Sequence, residues 1–361
     1  MNKDTRQPLI LAIDTSCDDT SAAVTQGRTV LSNIIASQTQ LHAPYGGVFP
    51  TVAKQAHQEN IDPTIKLALK RARVTWKDIQ AIAVTQGPGL APALEVGINK
   101  AQELSIKHQL PLIAINHIEA HALSPLAQAN SKTKKEAQPH KFPVLAIVVS
   151  GGHTDFIKVT QIGQYERLGF SIDDAAGEAL DKVGRMLNLG YPAGPIIEKF
   201  ATIGDFQKYQ LPLPMTDRRD FNMSFSGLKT WARNKIEEIE GQDRMSKQDI
   251  YDFTASFQYG VFKHICYKLN KLLLKHKIKE IWLGGGVSAN VKLRRMIRET
   301  LTTYSHNSNQ SKIKLFTPYS KRLCMDNAAM IGVVAGFKFA QKKFVKDIKN
   351  LDRKPRWKID N

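Results

Sequence analysis

The stretch Leu9-Ile10-Leu11-Ala12-Ile13-Asp14-Thr15-Ser16-Cys17-Asp18-Asp19-Thr20 decides how the fold is read. Its first half is a short apolar run of the length a buried strand takes. Its second half is small, hydroxylic and acidic. Ser21-Ala22-Ala23-Val24-Thr25 then reads as a second strand, Gly27 as a turn, and Thr29 to Ile35 as a third strand. Small hydroxyl and acidic residues at a hairpin tip suit the close approach of phosphates or a metal–nucleotide complex. A single copy of this pattern is weak.

The pattern recurs. Pro143-Val144-Leu145-Ala146-Ile147-Val148-Val149 is a second apolar strand, ending in Ser150-Gly151-Gly152-His153-Thr154, with further strands over Asp155 to Val159 and Gln164 to Leu168. Two copies so far apart amount to an internal repeat at domain scale. Gly151 and Gly152 leave backbone N–H groups open to a ligand. Between the copies the sequence predicts a helix from about Thr51 to Arg73 interrupted near Pro63, a strand over Ala81 to Thr85, and the turn Gly87-Pro88-Gly89. A helix over Ala91 to His108 tolerates Pro92 in its first turn, and a strand over Pro111 to Ile115 follows. Such alternation after a hairpin indicates an α/β lobe with a mixed sheet.

After the second copy, Ser171 to Lys182 reads as a helix with an acidic start. Gly190-Tyr191-Pro192-Ala193-Gly194-Pro195 breaks it, either lining a ligand or turning the chain. A long helix covers Lys247 to Lys275. The strand Ile281-Trp282-Leu283 then runs into Gly284-Gly285-Gly286-Val287-Ser288-Ala289-Asn290. That glycine-rich turn admits a base or ribose, with Asn290 able to bond polar edges. It matches neither a Walker loop nor a Rossmann fingerprint. A strand over Ile313 to Phe316 and an apolar helix over Ala328 to Ala340 close the folded part.

Asn116-His117-Ile118-Glu119-Ala120-His121 follows an apolar strand. On a helix His117 and His121 lie one turn apart on one face, close enough to share a metal. The plain alternative is two polar residues at a helix start. Asp326 precedes the final helix, where N-capping is the ordinary role. Facing the histidines instead, it would complete two imidazoles and a carboxylate, a set suited to iron(II), with zinc or manganese as alternatives.

The chain has 361 residues, enough for two domains or one large one. Its 51 Lys+Arg against 33 Asp+Glu give a net charge of +18, which points to a polyanion, nucleic acid foremost, against a generally basic background. The charge gathers in the run Ser131-Lys132-Thr133-Lys134-Lys135, in Lys263 to Lys279, and in the tail from Lys342 to Lys358. That tail is expected to fray into a flexible phosphate-contacting arm or to aid solubility. Cys17, Cys266 and Cys324 are scattered, with no Cys-x-x-Cys pair, which argues for a reducing cytosol rather than a disulfide scaffold or a cysteine-bound zinc. The polar N-terminus and the lack of a long apolar run predict no membrane span and a cytoplasmic protein.

Together these motifs resemble the bacterial tRNA adenosine N6-threonylcarbamoyltransferases. This family was formerly described as O-sialoglycoprotein endopeptidases, or glycoproteases, and is related to the catalytic subunit of the KEOPS complex. The resemblance rests on Asp14 to Thr20, His117 to His121, Ser150 to Thr154, the acidic helix through Asp181, Ser224-Phe225-Ser226-Gly227-Leu228-Lys229-Thr230, Gly285 to Asn290, and Asp326-Asn327. It covers about Leu9 to Gly336.

The resemblance implies an actin-like, Hsp70-like ATPase fold, a duplicated ribonuclease H-like α/β architecture of two lobes with a central cleft. The expected division is a polar N-terminal tail over 1–8, a first lobe over 9–120 plus 326–341, a second lobe over 121–325 with a basic insert near 130–141, and a basic tail over 342–361. The implied reaction moves a threonylcarbamoyl group from threonylcarbamoyl-AMP to N6 of the adenosine 3′ to the anticodon (position 37), in tRNAs reading codons that begin with A, and releases AMP. One divalent metal per subunit, iron(II) foremost, carries over to His117, His121 and Asp326. Substrate contacts carry over to Val148, Val149, Ser150, Gly151, Gly152, Asp181, Gly194, Glu198 and Asn290. Implied partners are tRNA, a smaller actin-fold paralogue, a small ATPase, and a separate synthase that supplies threonylcarbamoyl-AMP. The general base is not identified; Asp18 and Asp19 are the candidates. The chain departs from the family at Asp14 and Asp19, where Glu is usual, and at Ala193, Ala328 and Leu90 to Glu95.

Three rivals compete. A metal-dependent peptidase of the His-Glu-x-x-His type needs its glutamate directly after the first histidine, where Ile118 stands, and Glu119 falls about 100° further round the helix. An actin-fold kinase or ATPase uses magnesium held by carboxylates and needs no histidine pair. A non-catalytic scaffold of the same fold needs neither the histidines nor Asp326.

Overall fold

Apolar residues from Leu9 onward make the first strand, β1 (Leu9–Asp14), buried on both faces after its first residue. In this computed structural model residues 7–130, 139–241, 243–308 and 311–360 are described. The basic run from Ser131 to Lys135 and positions 1–6 lie outside them. The chain forms two compact units, one of Met1–Pro139 with Pro318–Asn361 and the other of His140–Thr317. Among the described residues, 121–130, 139 and 318–325, assigned by sequence to the second lobe, belong to the first unit. The physical reason is local: one helix carries both His117 and His121, so a boundary at residue 121 would cut it.

In the first unit β1 pairs antiparallel with β2 (Asp19–Gln26), which pairs antiparallel with β3 (Thr29–Ser37). Then come the short helix α1 (Thr39–His42) and the 23-residue helix α2 (Pro50–Ala72). β4 (Ala81–Gly87) lies parallel to β1, and helix α3 (Ala91–His108) leads to β5 (Leu112–Asn116), parallel to β4. Helix α4 (His117–Leu123) and the two-residue edge strand β6 (Gln128–Ala129) follow. The six-stranded sheet runs β5-β4-β1-β2-β3-β6. Leu11, Ile13, Ala22 and Val24 pack with Ile61, Ile65, Leu94 and Ile98 from α2 and α3. The apolar helix Ala328–Ala340 lays Gly332 against Thr25 and Gly336 against Gly27, where a Cβ would crowd both contacts.

Helix α2 is not interrupted at Pro63. The proline and Glu59, whose carbonyl loses its partner, are both exposed, so water can take the missing bond. The basic tail does not fray either. Val345, Ile348 and Leu351 pack onto the unit's core. Its backbone is pinned by Val345 N donating to Leu112 O (2.8 Å), Lys354 N to Gln86 O (2.8 Å) and Gln86 Nε2 to Asp352 O (2.8 Å). Three apolar side chains spaced among the lysines outweigh the charge pattern that suggested a free arm.

The second unit repeats the design. β7 (Val144–Val149), β8 (Thr154–Gln161) and β9 (Gln164–Phe170) form an antiparallel meander, and β10 (Glu280–Gly284) and β11 (Lys314–Phe316) extend it in parallel. The order β11-β10-β7-β8-β9 matches β5-β4-β1-β2-β3 strand for strand. The core packs Leu145, Ile147, Phe156, Ile281 and Leu283 against helices α5 (Ala176–Met186), α6 (Gly194–Phe200), α7 (Ser226–Glu240), α8 (Lys247–Lys275) and α9 (Val291–Asn307). Ser246 and Asp249 form a capping box at the start of α8.

α5 starts at Ala176, later than the acidic pattern predicted. Asp173 instead accepts hydrogen bonds from Phe225 N (2.8 Å) and Ser226 N (3.3 Å), and Asp174 pairs with Lys182 and Lys229, both at 2.7 Å. Tertiary partners hold these carboxylates in a loop. Among the described residues no helix is long and apolar enough to cross a membrane.

Candidate metal centre and glycine-rich turns

The metal-type constellation lies wholly in the first unit. Asn116 ends β5 and caps α4, its Oδ1 accepting from Ile118 N (2.9 Å) and Glu119 N (3.1 Å). The helix so started carries His117 and His121 with ring centroids 4.6 Å apart at 80°. Asn327 caps the helix Ala328–Ala340 through Met330 N (3.2 Å), which frees Asp326 from the capping role. Asp326 Oδ1 lies 3.0 Å from His121 Nε2 and 3.6 Å from His117 Nε2. Ligand atoms of all three residues lie within 4.8 Å of one another. Both histidines are buried, while the Asp326 side chain keeps 29% of its exposure.

The electrostatics fit a cation here. Burial pushes His117 down, but Asp326 and then Asp14 outweigh it, and its pKa is pushed up to about 9. Burial and the neighbouring His117 charge hold His121 below its ordinary value. Burial alone would raise Asp326, yet the two histidines hold it well below the usual carboxylate range. The carboxylate thus favours a cation at the point where both Nε2 atoms meet it, the place a divalent ion would take. Both Nδ1 atoms lack a hydrogen-bond partner. The nearest carboxylate to His117 Nδ1 is Asp14 Oδ2 at 3.9 Å, and Asp14 is itself fixed by Thr85 Oγ1 (2.7 Å) and Ser16 N (3.2 Å).

Glu119 is engaged elsewhere: its carboxylate pairs with Lys338 at 2.9 Å in a buried setting. That further weakens the peptidase reading. Of the base candidates, Asp19 is pushed up to about 7, chiefly by burial and then by Asp18 and Asp326, against the lowering bond from Ser37. Its Oδ1 is buried with no hydrogen-bond partner. Burial also raises Asp18, and burial and Asp18 raise the Cys17 thiol well above its ordinary value.

The nine expected substrate contacts all lie in the second unit, around the carboxyl ends of β7 and β10, where open α/β sheets bind ligands. Val148 and Val149 are fully buried, so only their backbone could meet a ligand. Ser150 N donates to His153 O (2.8 Å) and Ser150 Oγ accepts from His153 N (3.0 Å), closing a tight tip. Gly151 and Gly152 border open space, whereas Gly177 and Gly285 are packed against Ser150 and Val149. Gly285 has φ +87, and a Cβ there would collide with Val149 O.

Asp181 Oδ1 accepts from Ala193 N (2.8 Å) and Gly194 N (3.1 Å), and Glu198 Oε1 accepts from Val291 N (2.8 Å). Asn290 caps α9 through Lys292 N (2.9 Å) and Leu293 N (3.2 Å), and donates to Gln258 Oε1 (2.7 Å). These three side chains therefore hold the turns in shape around the open glycines. Sequence reasoning missed Asn116, Lys338 and Gly177. Only the Asn before a helical histidine pair carried a readable signal, as an N-cap.

The fold and the site first define a class. Solved structures with the same architecture include HypF from T. kodakarensis (TM-score 0.60, 14% identity, covering 95% of this chain and 50% of that one). Component A of the Acidaminococcus fermentans (R)-2-hydroxyglutaryl-CoA dehydratase is another (TM-score 0.53, 12% identity, 92% and 99%). At such identities the likeness speaks for the fold alone, which is the actin-like ATPase fold that the family resemblance implied and with which the duplicated hairpin agrees.

The particular family follows from sequence. Residues 29–333 match the family model for tRNA N6-adenosine threonylcarbamoyltransferase, and the chain belongs to that family. The proteins of that name from Syntrophotalea carbinolica (40% identity over 357 residues, 98% of this chain and 97% of that one) and Gloeothece citriformis (42% over 340 residues, 93% of each) are relatives.

Proposed function

We propose that this protein transfers the threonylcarbamoyl group of threonylcarbamoyl-AMP to N6 of the adenosine 3′ to the anticodon, in tRNAs reading codons that begin with A. The His117–His121–Asp326 cluster carries the metal part of this reading. Two neutral imidazoles and one carboxylate would hold one divalent ion, iron(II) foremost, which would supply Lewis-acid stabilisation of charge developing on the acyl donor.

The chain's own groups do the rest. An aromatic exocyclic amine is a poor nucleophile, so the donor has to be activated and oriented. The mixed carbamoyl-phosphate anhydride brings a good leaving group, AMP. The backbone N–H groups around Ser150 to Gly152 and the Gly285-Gly286 turn would hold the adenylate, with Asp181, Glu198 and Asn290 keeping those turns rigid, so that orientation lowers the barrier. Once N6 attacks the carbonyl, its surplus proton needs an acceptor. Asp19, held near neutrality with an unpartnered Oδ1, suits that role better than Asp18. No side chain is needed as a covalent nucleophile, and the raised thiol of Cys17 is a poor one.

The expected setting is the cytoplasm, with a smaller actin-fold paralogue, a small ATPase and a separate synthase for the donor. The test is incubation of metal-loaded protein and its expected partners with threonylcarbamoyl-AMP and unmodified tRNA, assaying the modified adenosine. Wild type should form it and His117→Ala should not; undiminished modification by the variant would remove the metal from the mechanism.

A further inference from the structure

Three depressions adjoin around α9 in the second unit, on successive faces of the helix. The first, of about 620 Å³, lies between α8 and α9 and is lined by Phe206, Tyr259 and Tyr267. It shares Arg295, Glu299 and Thr303 with the second, which shares Arg298 and Thr302 with the third, beside Lys312 and Lys314. Together they make one furrow that steps round the helix from the α8 side to the β11 side.

Its chemistry is one-sided. Lys263, Lys292, Arg295, Arg298, Lys312 and Lys314 line it, and Glu299 is the sole acid among the described lining residues, already paired with Arg295 at 2.8 Å. At one end the ammonium of Lys292 sits 4.5 Å from the Phe206 ring centroid and 5.4 Å from that of Tyr259, and Lys263 sits 6.0 Å from Tyr259. Cations along a track with rings at its end are what a single nucleic-acid strand requires: charge for phosphates and aromatic faces for a base.

We propose that this furrow is an RNA track, taking the phosphates of an unpaired tRNA segment across α9 and stacking one of its bases at Phe206 and Tyr259. The assignment rests on tRNA being the substrate. It is separate from the metal ligands and the glycine-rich turns, and it accounts for Lys263 of α8, which the reaction itself does not use. An acidic peptide would satisfy the cations but leave the rings idle.

The test measures binding of labelled unmodified tRNA over a range of salt, with modification assayed in parallel. Arg298→Glu with Lys314→Glu removes two exposed cations. It should weaken binding about tenfold or more and lower the slope of log K against log salt by about two. Phe206→Ala should weaken binding about fivefold or more while leaving the slope unchanged. Both variants should keep the wild-type kcat at saturating tRNA and the wild-type melting temperature.

Wild-type affinity and slope in the double variant, with wild-type protein still modifying tRNA, would overturn the track and leave the function standing. Displacement of polyglutamate rather than tRNA as the property lost in the variants would assign the furrow to acidic protein and overturn it equally. A wild type that neither binds nor modifies tRNA would remove both readings.

Discussion

The two sheets share one topology, yet their tips have diverged in chemistry. In the first unit the tip after β1 is acidic, and β5, one strand beyond β4, delivers a buried histidine pair to Asp326. In the second unit the tip after β7 is Ser150-Gly151-Gly152, and the neighbouring strand β10 delivers a second glycine turn. The duplicated scaffold presents a hairpin tip and a nearby strand–helix junction twice, but the junction used follows the second strand out from β1 in one unit and the first strand out from β7 in the other. Side chains fill one copy and bare backbone fills the other. The difference suggests a division of labour, with charge chemistry in the first unit and adenylate binding in the second.

The largest effect expected from breaking the first copy is at His121. His121→Ala should abolish stoichiometric metal binding and cut tRNA modification by about 10²–10³-fold, with the fold intact by circular dichroism. In the second copy, Gly285→Ala forces a Cβ into Val149 O at a positive φ. It should raise KM for threonylcarbamoyl-AMP and destabilise the protein by about 1–3 kcal/mol in denaturant titration, leaving metal content unchanged.

One buried histidine of the second unit behaves oppositely to His117. His264 in α8 is fully buried, and burial, with Lys268 adding, pushes its pKa down to about 4, the reverse of His117. Because its folded pKa lies below its unfolded one, the unfolded chain binds the extra proton between pH 6.5 and 4. Its contribution is therefore present above about pH 6.5 and lost progressively as pH falls towards 4, by at most about 3 kcal/mol. Amide exchange in α8 measured over that range should accelerate, and His264→Gln should flatten the dependence. The smallest expected effect is at Asn116, where loss of the cap in Asn116→Ala should cost about 1 kcal/mol by thermal melting. It should also loosen metal binding without abolishing it.

The repeated hairpins were legible because each strand is a short apolar run closed by a polar tip, a pattern local to the chain. The histidine pair was legible for the same reason, since an i, i+4 spacing is set by one helix. The meeting of Asp326 with those histidines, and of Lys338 with Glu119, depends on how the helix Ala328–Ala340 packs across the sheet, which no local pattern encodes. The tail was misread because charge is conspicuous in a sequence, while Val345, Ile348 and Leu351 matter only once a surface exists to receive them. The acidic start of α5 was misread for a related reason: carboxylates favour a helix N-terminus, yet Asp173 and Asp174 had stronger partners near Ser224 and Lys229. The open glycines could be noticed in sequence, but their distinction from Gly285, which has no room for a Cβ, required coordinates.

The division of labour is tested most directly by measuring metal and AMP binding side by side on two variants, by equilibrium dialysis. Asp326→Ala should lose the metal and bind AMP as wild type does. Gly152→Val, at a position where an added Cβ meets no atom within 4 Å, should keep the metal and lose AMP. Loss of both ligands from either variant, or metal retained by Asp326→Ala, would contradict the assignment of charge chemistry to one copy and nucleotide binding to the other.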